Sequence, residues 1–170
     1  MNDRRYFLKL ASAAAIPAAA IVSSGVARAA GDGSANKFLG AWSTIHTLPF
    51  PPGEFREFLS FAEGGVLHET NSFLHTASNL DFSMYGLPNM VNAADGAGNW
   101  DDAGKGAIRV VFRKMMFNGS RQNFGDLHVT GTLRSNGTKL LAEWHIEVVD
   151  RFDKVLADFG PATSEGTRIR

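Results

Sequence analysis

The chain has 170 residues, of which 17 are basic and 17 acidic, and it contains no cysteine. The first 29 residues hold four basic residues and one acidic residue, so the remainder carries a net charge of −3. An acidic remainder without a basic stripe argues against nucleic acid as a partner. Because no disulfide can form, stability has to come from the packing of an apolar core.

The N-terminal segment has the features of an export signal. Residues 3–9, with Arg4 next to Arg5 and an aromatic, a leucine and a lysine after them, resemble the twin-arginine export motif. An alanine-rich apolar run and a small-x-small site ending at Ala29 follow. An uncleaved membrane anchor is the weaker alternative, because serine, proline and glycine interrupt the run. We therefore expect a cleaved signal over 1–29, one domain over 30–170, delivery by the twin-arginine machinery to the periplasm or outside, and no membrane contact afterwards.

Three strands are predicted in the first half of the domain, over 38–47, 55–62 and 66–75. In the second run Phe55, Glu57, Leu59 and Phe61 share one face, and the same spacing would also allow a short helix. The glycine pair that follows the run favours a hairpin. The third run mixes polar and apolar residues on both faces.

The alternation stops over residues 76–104, which are rich in Asn, Asp, Gly and Met. A structureless segment of this length is usually functional or disordered, and its eight large apolar side chains argue against disorder. We expect an ordered flap over an open end of the sheet. Packing against the outside of the sheet is the alternative.

The second half contains a strand over 107–117 and then a hairpin over 125–150, with Asn136-Gly137 as a two-residue turn. That turn pairs Val129 with Trp144 on an apolar face, and His128 with His145 on a face that also carries Glu143. A strand is predicted over 155–159 and is broken by Gly160-Pro161. A closing strand is predicted over 162–169.

Seven or eight short antiparallel strands without a long helix predict an all-β protein. We expect a closed up-and-down barrel rather than a sandwich, because closure removes the sheet edges. The first strand contains Gly40-Ala41-Trp42 and the last predicted strand contains Arg168. These residues resemble the calycin superfamily, which includes the lipocalins, where an arginine from the end of the barrel packs on the tryptophan of a Gly-x-Trp motif. The Thr-Asp-Tyr motif of typical lipocalins is absent. The resemblance implies a barrel with an apolar cavity and no catalytic residue.

Function depends on which hairpin face points inward. With the apolar face inside, we expect the barrel to bind a small apolar or aromatic molecule, its aromatic lining being Trp42, Phe58, Tyr85, Trp100, Phe112 and Trp144. With the polar face inside, His128, His145 and Glu143 would be the catalytic residues of a cofactor-free isomerase, cyclase or lyase, with Arg109 or Arg113 neutralising the acids. The first alternative is preferred, because unpaired buried acids are costly, and enzyme activity stays open.

No cofactor and no metal is predicted. The chain lacks a nucleophile elbow, a phosphate-binding loop and histidines spaced for zinc on a helix. Two sets of residues could still supply metal ligands, namely His68 with Glu69 and His75, and His128 with His145.

Overall fold

The computed structural model describes residues 34–49, 52–71, 82–88 and 91–170. The predicted export signal and residues 72–81, 89 and 90 lie outside the described residues. A short 3-10 helix, Ser34–Phe38, leads into nine strands. The strands are β1 (Gly40–Pro49), β2 (Pro52–Ala62), β3 (Val66–Asn71), β4 (Val91–Ala93), β5 (Gly96–Gly104), β6 (Ala107–Asn118), β7 (Asn123–Ser135), β8 (Lys139–Val149) and β9 (Val155–Arg168).

Eight of these strands form a closed antiparallel barrel. The pairing order runs β6-β5-β3-β2-β1-β9-β8-β7, and β7 pairs with β6 to close the ring. The ninth strand, β4, pairs with the end of β6 outside the ring. The predicted all-β, up-and-down barrel is confirmed. Among the described residues, no helix is long and apolar enough to cross a membrane.

One end of the barrel is filled by apolar side chains and closed by Arg168. We call this part the closed half; its core residues are Trp42, Phe61, Leu67, Trp100, Ile108, Leu133 and Leu140. The Arg168 guanidinium lies 4.5 Å from the centre of the Trp42 ring. It also donates to the carbonyl oxygens of Lys37 and Leu39 and, over 2.8 Å, to that of Gly137. The predicted packing of Arg168 on Trp42 is therefore confirmed.

The hairpin of β7 and β8 presents the predicted faces in a different register. His128 lies opposite Glu147, and His145 lies opposite Thr130, whereas the prediction paired the two histidines with each other. The shift is two residues, and a shift by an even number keeps every side chain on its own face. Trp144 is accordingly 2% exposed, which confirms that the apolar face points inward.

The register differs because the turn is longer than predicted. Ser135 and Leu140 form the last pair, so four residues, 136–139, lie between the last paired positions instead of two. The Asn136 side-chain oxygen accepts hydrogen bonds from the amides of Thr138 and Lys139 at 3.0 and 2.8 Å. An asparagine that ties down its own turn in this way stabilises a wider loop than the type I′ turn.

Two further predictions are corrected. The predicted flap over 76–104 includes two strands, since β4 and β5 both fall within it. Glycine-rich β5 was not predicted as a strand, because glycine has low strand propensity. In the structure, Gly98 leaves space for the backbone of β6. The predicted break at Gly160-Pro161 is a β-bulge within one continuous strand, β9, where Gly160 has a φ of 70°.

Candidate functional site

The other half of the interior contains a buried group of polar side chains, which we call the polar cluster. Its members are Thr44, His46, Glu57, Glu69, Asn71, Lys114 and Ser164, and all are buried. They come from strands β1, β2, β3, β6 and β9. Strand alternation directs them inward, because each lies two residues from another inward-facing residue, as Glu69 does from Leu67.

Glu69 is the most heavily bonded member of the polar cluster. Its carboxylate oxygens lie 2.6 and 2.9 Å from the Lys114 ammonium nitrogen. The Asn71 amide donates to Oε1 over 2.8 Å, and the backbone amide of Gly96 donates to Oε2 over 3.2 Å. Gly96 also provides the space, because a Cβ there would lie 2.7 Å from Oε2. The carboxylate is thus held between β3, β5 and β6.

Glu57 and His46 form the second part of the polar cluster. The His46 Nε2 atom contacts Oε2 of Glu57, and both residues are 2% exposed. The His46 imidazole is stacked between Phe55 and Trp144, with ring centroids 4.8 and 5.4 Å away. Its Nδ1 atom is buried and has no hydrogen-bond partner within the described part of the chain. This nitrogen can therefore still accept or donate a hydrogen bond.

The pKa of Glu69 is raised from 4.5 to about 7. Burial is the largest cause, and the charge of Glu57 adds to it, while Lys114 and Asn71 act in the opposite direction. Glu57 lies on the neighbouring strand, where it is paired with Asn71, so the two glutamates face the same interior. Burial and a second carboxylate therefore outweigh the lysine.

This arrangement is suited to proton transfer. A carboxyl whose pKa is near 7 can both take and return a proton at neutral pH. The Lys114 ammonium can stabilise negative charge that develops on a neighbouring oxygen. The Trp144 indole, whose Nε1 donates to Ser164 over 2.8 Å, and the Phe112 ring, 6.0 Å from it, provide an aromatic wall.

The six predicted ligand-binding aromatics lie in four places. Phe112 and Trp144 border the polar cluster, whereas Trp42 and Trp100 are core residues of the closed half. Tyr85 packs edge-on against Phe159, with ring centroids 4.6 Å apart, and burial raises its pKa above the ordinary value. Phe58 lies on the outer wall and is 42% exposed, because its neighbours Glu57 and Leu59 take the inward positions of β2.

The three residues predicted for catalysis are on the outer wall of the barrel. Glu143 and His145 are exposed, and His128 is partly exposed. Because the apolar face of the hairpin points inward, the alternate residues, which include these three, point outward. The structure therefore does not bring them to the interior. In the described residues, one group is close enough to share a metal ion, and it is also external: His145, Glu147 and Asp158.

Sequence reasoning missed the polar cluster, although a signal was present. Glu57 shares a face with Leu59 and Phe61, and Lys114 shares one with Phe112 and Met116. A single charged residue within an inward-facing row is the pattern of a buried functional group. Because charged residues were expected to face solvent, Glu57 and Lys114 were not predicted to be buried.

Comparison with known proteins assigns no family. No protein-family model, curated protein or solved structure matches this chain. The function has to be argued from the polar cluster and the barrel around it.

Proposed function

We propose that the polar cluster is the active site of a cofactor-free isomerase, cyclase or lyase that acts on a small apolar or aromatic molecule. The observation that carries the proposal is the buried carboxyl of Glu69, with a pKa of about 7, beside Lys114 and a second buried glutamate. Perturbed carboxyls of this kind concentrate at functional sites.

The cost of the polar cluster supports this function over a structural role. Replacing a buried ion pair by well-packed apolar side chains is often neutral or stabilising. A barrel with an apolar closed half has no need of two buried glutamates, a lysine and a histidine for its stability. The buried Nδ1 atom of His46, which has no hydrogen-bond partner among the described residues, also supports a binding role, because a bound molecule would provide that partner.

The residues divide the chemistry between them. The ionised Glu69 would take a proton from a carbon of the substrate, while Lys114 stabilises the negative charge that forms on an adjacent oxygen. His46, held against Glu57, would return a proton at a second position. Phe112 and Trp144 would contact the apolar part of the substrate.

A generic proton-abstraction substrate tests the proposal. Nitrobenzisoxazole is small and aromatic; a base removes its C–H proton as the N–O bond breaks, and a coloured cyanophenolate forms. We expect the purified protein to catalyse this reaction with a rate that rises through about pH 7 and then levels, following ionisation of Glu69. Glu69→Gln should lose the activity, and Glu143→Gln, on the outer wall, should keep it. A rate no greater than that of free carboxylate would contradict the proposal.

A ligand-binding protein without catalytic activity is the second candidate. It is supported by the set of donors around Glu69, since Lys114, Asn71 and Gly96 together resemble a fixed structural network. Native mass spectrometry should then reveal a co-purified apolar molecule, and N-phenylnaphthylamine should quench the emission of Trp144. In this case Glu69→Gln would change neither binding nor a chemical rate, which separates the two candidates.

We also propose that the chain is exported and is a calycin-like barrel. The twin-arginine motif supports export, and the contact of Arg168 with Trp42 in an eight-stranded barrel supports the calycin relationship. Replacing Arg4 and Arg5 by lysine should leave the precursor inside the cell, as fractionation and immunoblotting would reveal. Delivery to the periplasm by that variant would refute the export proposal.

A further inference from the structure

Two histidines and two carboxylates lie together on the outer wall of the barrel. We name the group the outer cluster: His128, His145, Glu147 and Asp158. We propose that the outer cluster binds a divalent transition-metal ion of the Zn²⁺ type. The site is separate from the polar cluster, because all four side chains project from the outer surface of the sheet and the polar cluster lies on the inner surface.

The strand register places the outer cluster in one row. His128 on β7 pairs with Glu147 on β8, and Glu147 pairs with Asp158 on β9. Paired residues on neighbouring strands are about 5 Å apart and project from the same side of the sheet. His145 lies two residues before Glu147 and therefore on the same side. Four donor side chains thus lie on one surface of three adjacent strands, and the ligand atoms of His145, Glu147 and Asp158 converge there.

The distances match tetrahedral coordination. Nε2 of His145 lies 3.2 Å from Oε1 of Glu147 and 3.6 Å from Oδ1 of Asp158. Nδ1 of His128 lies 3.7 Å from the other oxygen of Glu147. Ligand atoms about 2.0–2.1 Å from a tetrahedral zinc ion are about 3.3 Å from one another. The ligand atoms of His145, Glu147 and Asp158 all lie within 4.8 Å of one another. Side-chain movements of about 1 Å would therefore bring these three donors around one ion, with His128 as the candidate fourth ligand.

Asp158 is held in place by a local backbone irregularity. The pairing of β8 with β9 shifts between Ile146 and Glu147, so that the extra residue, Phe159, has no paired residue on β8. The Gly160 amide donates to Asp158 over 2.7 Å and fixes the carboxylate. Bulges often occur beside functional sites, where they change the direction of a side chain. This bulge aligns Asp158 with Glu147.

The chemistry of the donors selects the class of ion. Imidazole nitrogens with carboxylate oxygens suit zinc, nickel or copper, whereas calcium and magnesium take oxygen ligands at higher coordination numbers. Among the described residues, the carboxylates of Glu147 and Asp158 form ion pairs with these histidines and with no lysine or arginine. Within the described ranges, no lysine or arginine therefore competes with a metal ion for these carboxylates.

Isothermal titration of the chelator-treated protein with Zn²⁺ tests the inference. We expect one ion per chain, an affinity unchanged by excess Mg²⁺, and a loss of at least about tenfold in affinity in His145→Ala and Asp158→Asn. His68→Ala, which removes an exposed histidine from β3, is the matched control and should bind like the unaltered protein. Co²⁺ should give the visible absorption of a four-coordinate site, and His145→Ala should abolish it.

Several results would overturn the proposal. Absence of Zn²⁺ binding, equal binding by His145→Ala and His68→Ala, or displacement by Mg²⁺ would each reduce the outer cluster to histidine–carboxylate ion pairs. Glu69→Gln should leave Zn²⁺ binding intact, so the outcome is independent of the proposed active site. Melting temperatures measured without metal would identify any variant that fails to fold.

Discussion

Replacing Glu69 by glutamine should stabilise the protein at alkaline pH. The carboxyl has a pKa of 4.5 in an unfolded chain and about 7 in the folded barrel. Between these values the folded state keeps a proton that the unfolded state has released, so stability falls as pH rises. At 1.36 kcal/mol per pKa unit, the loss amounts to about 3 kcal/mol at pH 8. Glutamine copies the protonated carboxyl and cannot lose a proton.

If Glu69 and Lys114 acted only as a buried ion pair, Glu69→Gln would instead destabilise the protein. Removing one partner of a buried ion pair commonly costs about 3–5 kcal/mol, because the other charge is left alone. The raised pKa of Glu69 already includes the attraction of Lys114, and ionisation is unfavourable in spite of it. The raised pKa therefore predicts that Glu69→Gln stabilises the folded protein at alkaline pH. The two proteins should be about equally stable at pH 4, where Glu69 is protonated.

Urea unfolding followed by tryptophan fluorescence measures the effect. We expect the stability difference between Glu69→Gln and the unaltered protein to change by about 3 kcal/mol, in favour of the variant, from pH 4 to pH 8. Glu143→Gln, on the exposed outer wall, should show no such change. A stability difference that stays the same from pH 4 to pH 8 would refute the raised pKa of Glu69, and with it the proposal that this carboxyl acts as the base.

Three further substitutions probe the barrel. Lys114→Met should move the pH midpoint of nitrobenzisoxazole turnover above about 7, since Lys114 lowers the pKa of Glu69; an unchanged midpoint would mean that Glu69 is not the base. Arg168→Ala should lower the unfolding free energy by about 3 kcal/mol through loss of its contacts with Trp42 and three carbonyl groups, whereas Arg170→Ala should have little effect in the same urea titration. Gly131→Ala should cost about 1–3 kcal/mol and alter tryptophan emission, because its Cβ would lie 2.3 Å from the Trp144 ring; retention of full stability would show that the ring can move freely.

The fold was largely predictable because alternation and turns are local signals. They gave the barrel class, the position of most strands and the inward face of the hairpin. The hairpin register was not predictable from Asn136-Gly137, since the Asn136 side chain stabilises a four-residue connection. Strand β5 was missed for a related reason: Gly96 and Gly98 are explained by close neighbours on β3 and β6, which only the assembled sheet reveals.

The candidate site was less predictable than the fold. The sequence reasoning treated charged residues as solvated unless paired, and the partners of Glu69 come from three separate strands. Lys114 is 45 residues away along the chain, and Gly96 is 27 residues away. Pairing over such separations follows from strand order, which a single sequence does not specify. The polar cluster was therefore not predicted, because the burial of its charged residues depends on partners that are distant along the chain.

Because the interior is divided into two halves, residues of the polar cluster can be substituted separately from those that stabilise the fold. The closed half, with Trp42 beneath Arg168, contains contacts that fix the strand ends, while the polar cluster occupies positions whose polar groups cost stability. Substitutions in the polar cluster could exchange one reaction or ligand for another without disturbing the residues that fold the chain. Libraries that vary inward positions near Glu57 and Glu69, with the closed half kept constant, should yield a high fraction of folded proteins. The same scaffold would then serve as a starting point for designed proton-transfer catalysts.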